Sequence, residues 1–146
     1  MKVKIGKYPK HRFYHNWLYA LGWTNQEKVS VRIDPWDTWS MDSTLAHIIM
    51  PMLEQLRATA HGSPRVEDID RPDHLIGTIP NAHEVDEFHH EAWQWVLTEM
   101  IFSFRSAKHD YDDFIVDQEI AAHIEYEERV SNGFRLFGKY YQNLWD

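Results

Sequence analysis

Glu99, His123 and Glu127 are the residues whose types and places in this chain could carry chemistry together. His123 and Glu127 stand at i and i+4, so on a helix they share one face. A carboxylate and an imidazole at that spacing can reach a single ion, and the donor set suits iron, manganese or zinc. Glu99 falls at the edge of the apolar face of the preceding helical segment. If 84–105 and 118–143 form an antiparallel hairpin, Glu99 lies level with position 124 and Glu127 with position 96. The three side chains then fall within one helical turn, about 5.4 Å of rise. Two buried carboxylates require a balancing cation, because desolvation and mutual repulsion raise their pKa values. A protonated His123 is the preferred counter-charge, since buried polar groups are generally satisfied without metal. A divalent transition metal is the alternative, joined by an acid of the first long helix such as Asp42.

The chain has ten histidines, and those other than His123 make weaker constellations. Glu87 and His90 have the Glu-x-x-His spacing of di-iron bundles, but they fall opposite Val85, Ala92, Val96 and Met100. His47, Glu54 and His61 are ~10 Å apart per step along a helix and read as surface. His89 faces inward and reads as a core histidine. Asp110, Asp112, Asp113 and Asp117, with His109, lack the Gly and final Glu of a calcium loop and read as a solvated linker. No phosphate-binding loop, dinucleotide fingerprint, nucleophile elbow or HExxH zinc motif is present. With no cysteine, disulfides, thiolate zinc sites and cysteine nucleophiles are excluded.

Three long helical segments must position these residues. Leu45, Ile48, Ile49, Met52, Leu53 and Leu56 form a stripe in a helix over about 40–59, with Ser40 as N-cap, Asp42 in the first turn and Pro51 as a kink point. Val85, Phe88, Ala92, Val96 and Met100 give the inward face of a helix over 84–105, widened by Trp93, Trp95, Leu97 and Phe102. Ile120, Ile124, Val130, Phe134, Phe137, Tyr141 and Trp145 keep one broad face over 118–143, although Gly133 and Gly138 each cost ~1 kcal/mol against Ala. Period two predicts two short strands, 2–6 and 28–33, which should pair; residues 11–21 read as a short aromatic helix ended near Gly22. The expectation is a mainly α fold: three long helices, a short N-terminal helix and a minor two-stranded sheet. The stretch 61–82 has three prolines and two glycines. Leu75, Ile76 and Ile79 are its candidate apolar anchors, and its prolines lower the entropy lost on ordering.

The 146 residues fit one domain, with a basic α/β segment at 1–33 and an acidic helical body at 34–146. Residues 1–33 carry seven Lys/Arg against one acid, Glu27, a balance of +6. The remainder carries eight against 22, a balance of −14, giving −8 for the chain. An acidic body disfavours nucleic-acid binding, although the basic segment could touch phosphate or dock on the body itself. Seven each of Trp, Tyr and Phe let a small core be built from rings. No apolar run approaches the ~20 residues that span a bilayer, and the N-terminus lacks the apolar stretch of a secretory signal. The chain is expected to stay in the cell that makes it.

Val31-Arg32-Ile33-Asp34 running into WDTWSMD (36–42), His61-Gly62-Ser63-Pro64, and NGFRLFGKYYQNLWD (132–146) together resemble an uncharacterised protein family of tailed phages, marine ones in particular. The resemblance covers about 29–146. Before residue 29 the chain departs from the pattern, and its acidic linker is shorter. The likeness implies action in the cytoplasm of an infected bacterium or a place in the virion, and brings no catalytic residue with it.

The leading functional expectation is therefore a non-enzymatic helical accessory protein that binds another protein or itself, using Trp23, Trp36, Trp39, Leu75, Ile76 and Ile79. Second stands a small metal-dependent enzyme using Glu99, His123 and Glu127. A weak nucleic-acid binder working through 1–32 is third.

Overall fold

The computed structural model describes residues 2–5, 14–22, 29–78, 84–108 and 120–145. The fold is mainly α, and the chain divides after Ser40 into two compact units, Met1–Ser40 and Met41–Asp146. In the first, β1 (Lys2–Ile5) pairs antiparallel with β2 (Val29–Arg32), Lys2 opposite Arg32 and Ile5 opposite Val29. Between them lies α1 (His15–Ala20), whose end is marked by Gly22 at φ +77°, a left-handed stop that glycine takes without steric cost.

The second unit is built on α2 (Met41–Thr59), α3 (His89–Lys108) and α4 (Ile120–Lys139), followed by a 3₁₀ turn, Tyr141–Asn143. Helix α3 is central and packs on both α2 and α4. This explains its wide apolar face: Trp93, Val96, Leu97 and Met100 are fully enclosed because one neighbour covers each side. Ala46 and Leu53 of α2, Leu136 of α4, Tyr140 just beyond it and Val66 of the long loop complete the core.

One boundary differs from sequence expectation, and one expected weak point holds, each for a stated reason. Helix α3 begins at His89 because Asp86 halts the chain before it: its Oδ1 accepts the Phe88 amide at 2.9 Å, a cap-like bond. Val85, expected on the inward face, precedes the helix and is exposed. Helix α4 holds through Gly133 because that glycine is the closest point of its approach to α3. A Cβ there would collide with the Glu99 carbonyl and the Ser103 side chain.

The 61–78 part of the long loop is held chiefly by polar contacts, with Val66 as its buried apolar residue. Ile76 is exposed and Leu75 half-buried; Ile79 lies outside the described residues. In place of the apolar anchoring expected of Ile76, two buried charges, Asp70 and Arg71, hold this part of the loop.

Candidate functional site

In the first unit, Asp34-Pro35-Trp36-Asp37-Thr38-Trp39 folds as a 3₁₀ turn over Pro35–Thr38. Proline at its first position supplies the fixed φ that a helical start needs. Asp34 and Asp37 then lock the turn reciprocally: the Asp34 amide donates to Asp37 Oδ2 at 2.7 Å, and Asp34 Oδ1 accepts the Trp36 amide at 3.1 Å. Thr38 Oγ1 adds a bond to the Pro35 carbonyl at 2.8 Å. Side chains at i and i+3 eclipse in a 3₁₀ helix. Trp36 and Trp39 accordingly stand together, ring centroids 6.1 Å apart and planes tilted by 48°. They are 77% and 82% exposed, which is unusual for the largest apolar side chain on a rigid turn. Trp23 lies outside the described residues.

The expected trio in the helical unit is not assembled. Glu99 is buried, but its partner is Arg129, which donates through Nε at 2.8 Å and Nη2 at 2.7 Å in a two-pronged ion pair. The same guanidinium lies 4.0 Å from the centroid of the Phe102 ring. The hydrogen bonds to Glu99 hold Arg129 more basic than an ordinary arginine. His123 and Glu127 pair with each other rather than with Glu99, Nε2 to Oε1 at 3.3 Å, on a largely exposed stretch of α4. The cause is hairpin register. Ser103 Oγ donates to the Val130 carbonyl, the Tyr126 hydroxyl to Ser106, and Glu99 stands against Gly133. Glu99 is thus level with a point about ten residues, or ~15 Å of rise, beyond His123. Among the described residues no three histidine or acidic side chains converge as ligands of one ion would.

The polar cluster that does form was not expected. The Asp70 carboxylate, fully buried, accepts the Tyr140 hydroxyl at 2.7 Å and faces Lys139 Nζ at 2.5 Å and Arg135 Nη2 at 2.7 Å. The Arg135 approach is a charge contact off the hydrogen-bond axis, so Oδ1 lacks a well-aligned donor. Tyr140 also accepts the Glu67 amide at 3.0 Å, and Lys139 donates to Glu67 Oε2 at 2.8 Å. Next in sequence, Arg71 holds Asp86 at 2.9 Å, the Leu75 carbonyl at 3.2 Å, and Asp68. Burial pushes Asp70 up, but the contacts from Lys139, Tyr140 and Arg135 outweigh it and hold the acid below its usual value. Asp86 is likewise raised by burial and brought below normal by Arg71 and the Phe88 amide. Lys139 is held well above the ordinary lysine range, first by its bond to Asp70. Burial raises the Tyr140 phenol. Opposite charges are matched throughout, so the cluster works as a clasp that fixes the loop to α4 and to the entrance of α3.

Two further histidines join the same framework. His89 Nε2 lies 2.8 Å from the Ser63 carbonyl and His90 Nδ1 2.7 Å from Ser63 Oγ, tying the loop to the start of α3. Of this framework Ser63, Arg135, Lys139 and Tyr140 sat in stretches that stood out in sequence, and His89 and His90 were noted without their partners. Asp70 and Arg71 carried one signal: adjacent opposite charges between prolines.

Comparison with protein-family models, with curated proteins and with solved structures gives no match to this chain. Among the described residues no helix is long and apolar enough to cross a membrane.

Proposed function

We propose that this chain is a phage accessory protein that works without catalysis, as a helical protein-interaction or assembly module in the infected cell or the virion. The observation that carries the reading is the Trp36–Trp39 turn. Tryptophan is the residue most enriched at binding hot spots, and a turn locked before contact loses little entropy on binding. The phage setting rests on the motif resemblance of 29–146. A protein partner is favoured over nucleic acid because Asp34 and Asp37 flank the two rings and repel phosphate, against the +6 of residues 1–33. An ion-dependent enzyme would need Glu99 freed from Arg129, which the geometry does not favour.

The test places a photo-crosslinking residue at Thr38 in chain expressed during infection, with and without W36A/W39A. A captured protein, once purified, should bind the parent chain and lose at least ~100-fold in affinity to the variant, the scale of two hot-spot side chains. Equal binding by parent and variant would refute the turn as the contact.

A further inference from the structure

Helix α2 carries two apolar faces, and among the described residues of the second unit only one of them packs into the core. Ala46 and Leu53 are buried against the core, with Ile49, Met50 and Leu56 packed beside them. A second stripe, Met41, Leu45, Ile48 and Met52, lies about a quarter-turn away at 100° per residue. Met41 is 56% exposed, Leu45 39% and Met52 59%, with Ile48 half-buried. The intervals along this stripe are four, three and four, the a/d alternation of a coiled-coil seam. Around it, from Ala58 through Thr44 and Gln55 to Ile49, half of the helix circumference holds no Asp, Glu, Lys or Arg. The charges of α2 lie elsewhere: Asp42 borders this half just beyond Ile49, and Arg57 and Glu54 reach across to Thr98 and Arg105 of α3.

We propose that this uncharged stripe is the interface of a homodimer, in which α2 of one copy packs antiparallel on α2 of another. Two features select a second copy as the occupant. The four-three-four spacing reads the same in both directions, so an antiparallel copy aligns Met41 with Met52 and Leu45 with Ile48, and each contact occurs twice, as a two-fold axis demands. Charge is the other. Residues 34–146 of each copy carry −14, and apposing two such bodies costs least where neither presents a charge. A half-cylinder without ionisable groups meets that condition, whereas a basic partner would find nothing on it to pair with. This interface is distinct from the Trp36–Trp39 turn and does not depend on it.

Sedimentation equilibrium of the full chain from about 1 to 100 μM tests the proposal, a range that covers micromolar association. The parent chain should show a monomer–dimer equilibrium, and L45E/M52E should weaken it at least ~100-fold with unchanged helical circular dichroism, because juxtaposed buried carboxylates are strongly unfavourable. The chain has no cysteine, so single cysteines can be introduced cleanly. An oxidised mixture of the L45C and I48C chains should form the mixed disulfide in preference to either symmetric one, and this arm decides alone if the glutamates disturb folding. A parent chain monomeric at ~100 μM would overturn the proposal. So would a dimer indifferent to L45E/M52E, preference for symmetric disulfides, or a stripe that takes only a helix of another protein.

Discussion

Gly133 of α4 stands so close to Ser103 of α3 that a methyl group on it would sit 2.9 Å from the Ser103 Cβ, with the Glu99 carbonyl nearer still. Here a glycine is required by packing, and its helix-weakening cost of ~1 kcal/mol is offset by close approach of two backbones. Ser103 uses that proximity to donate to the Val130 carbonyl at 2.8 Å. Gly133→Ala should therefore destabilise the chain by ~1–3 kcal/mol through overpacking. Gly138, on the same helix, has nothing within 4 Å of its would-be Cβ. Gly138→Ala should leave stability unchanged or raise it by up to ~1 kcal/mol. Urea unfolding of both variants checks the contrast, and equal effects would contradict the packing.

Periodicity was sufficient for the helices and strands because burial of one face is a local, repeating constraint. The observed α2, Met41–Thr59, falls within a residue of its expected span. What periodicity cannot carry is the register between two helices. Gly133 sets that register, yet in sequence it looks only like a weak helix former. With the hairpin slipped, Arg129 rather than His123 meets Glu99. Nor does a pattern of apolar residues announce a polar clasp. Asp70 and Arg71 are buried because their partners arrive from Arg135, Lys139, Tyr140 and Asp86, all remote in sequence. The Trp36–Trp39 turn depends on neighbours in sequence alone, since Asp34, Pro35 and Asp37 are its determinants.

The Glu99–Arg129 pair carries the second contrast. Glu99 is buried while Arg129 is about half exposed, so removing the arginine leaves an acid without its cation in a dry site. Partial exposure lets water recover some of the loss, and Arg129→Ala should cost ~1–3 kcal/mol. Glu127, more than half exposed, should tolerate Ala within ~0.5 kcal/mol. Calorimetric melting at neutral pH separates the two. If Glu127→Ala proved the more damaging, the register described above would be wrong.

The Asp70 clasp sets a pH window. Asp70 and Asp86 have folded pKa values below their unfolded ones, so the folded chain binds fewer protons across that interval. Their stabilisation is fully present above the unfolded value of ~4 and is lost as pH falls through the folded values. Lys139 and Tyr140 have raised values, so their contribution holds below ~10 and fades as pH rises through their folded values. Stability should therefore be flat between about pH 5 and 9 as far as this cluster is concerned, and fall on both sides. Asp70→Asn keeps the shape and removes the charge facing Lys139 and Arg135. Because those two cations are partly exposed, the cost at pH 7 should be about 2–3 kcal/mol, below the ~3–5 of a fully buried pair. The variant's melting temperature should also drop less than the parent's between pH 7 and pH 3, since one of the two responsible acids is gone. Melting curves across pH 3–10 measure both effects. An acid limb as steep in Asp70→Asn as in the parent would show that Asp70 is not the group that titrates.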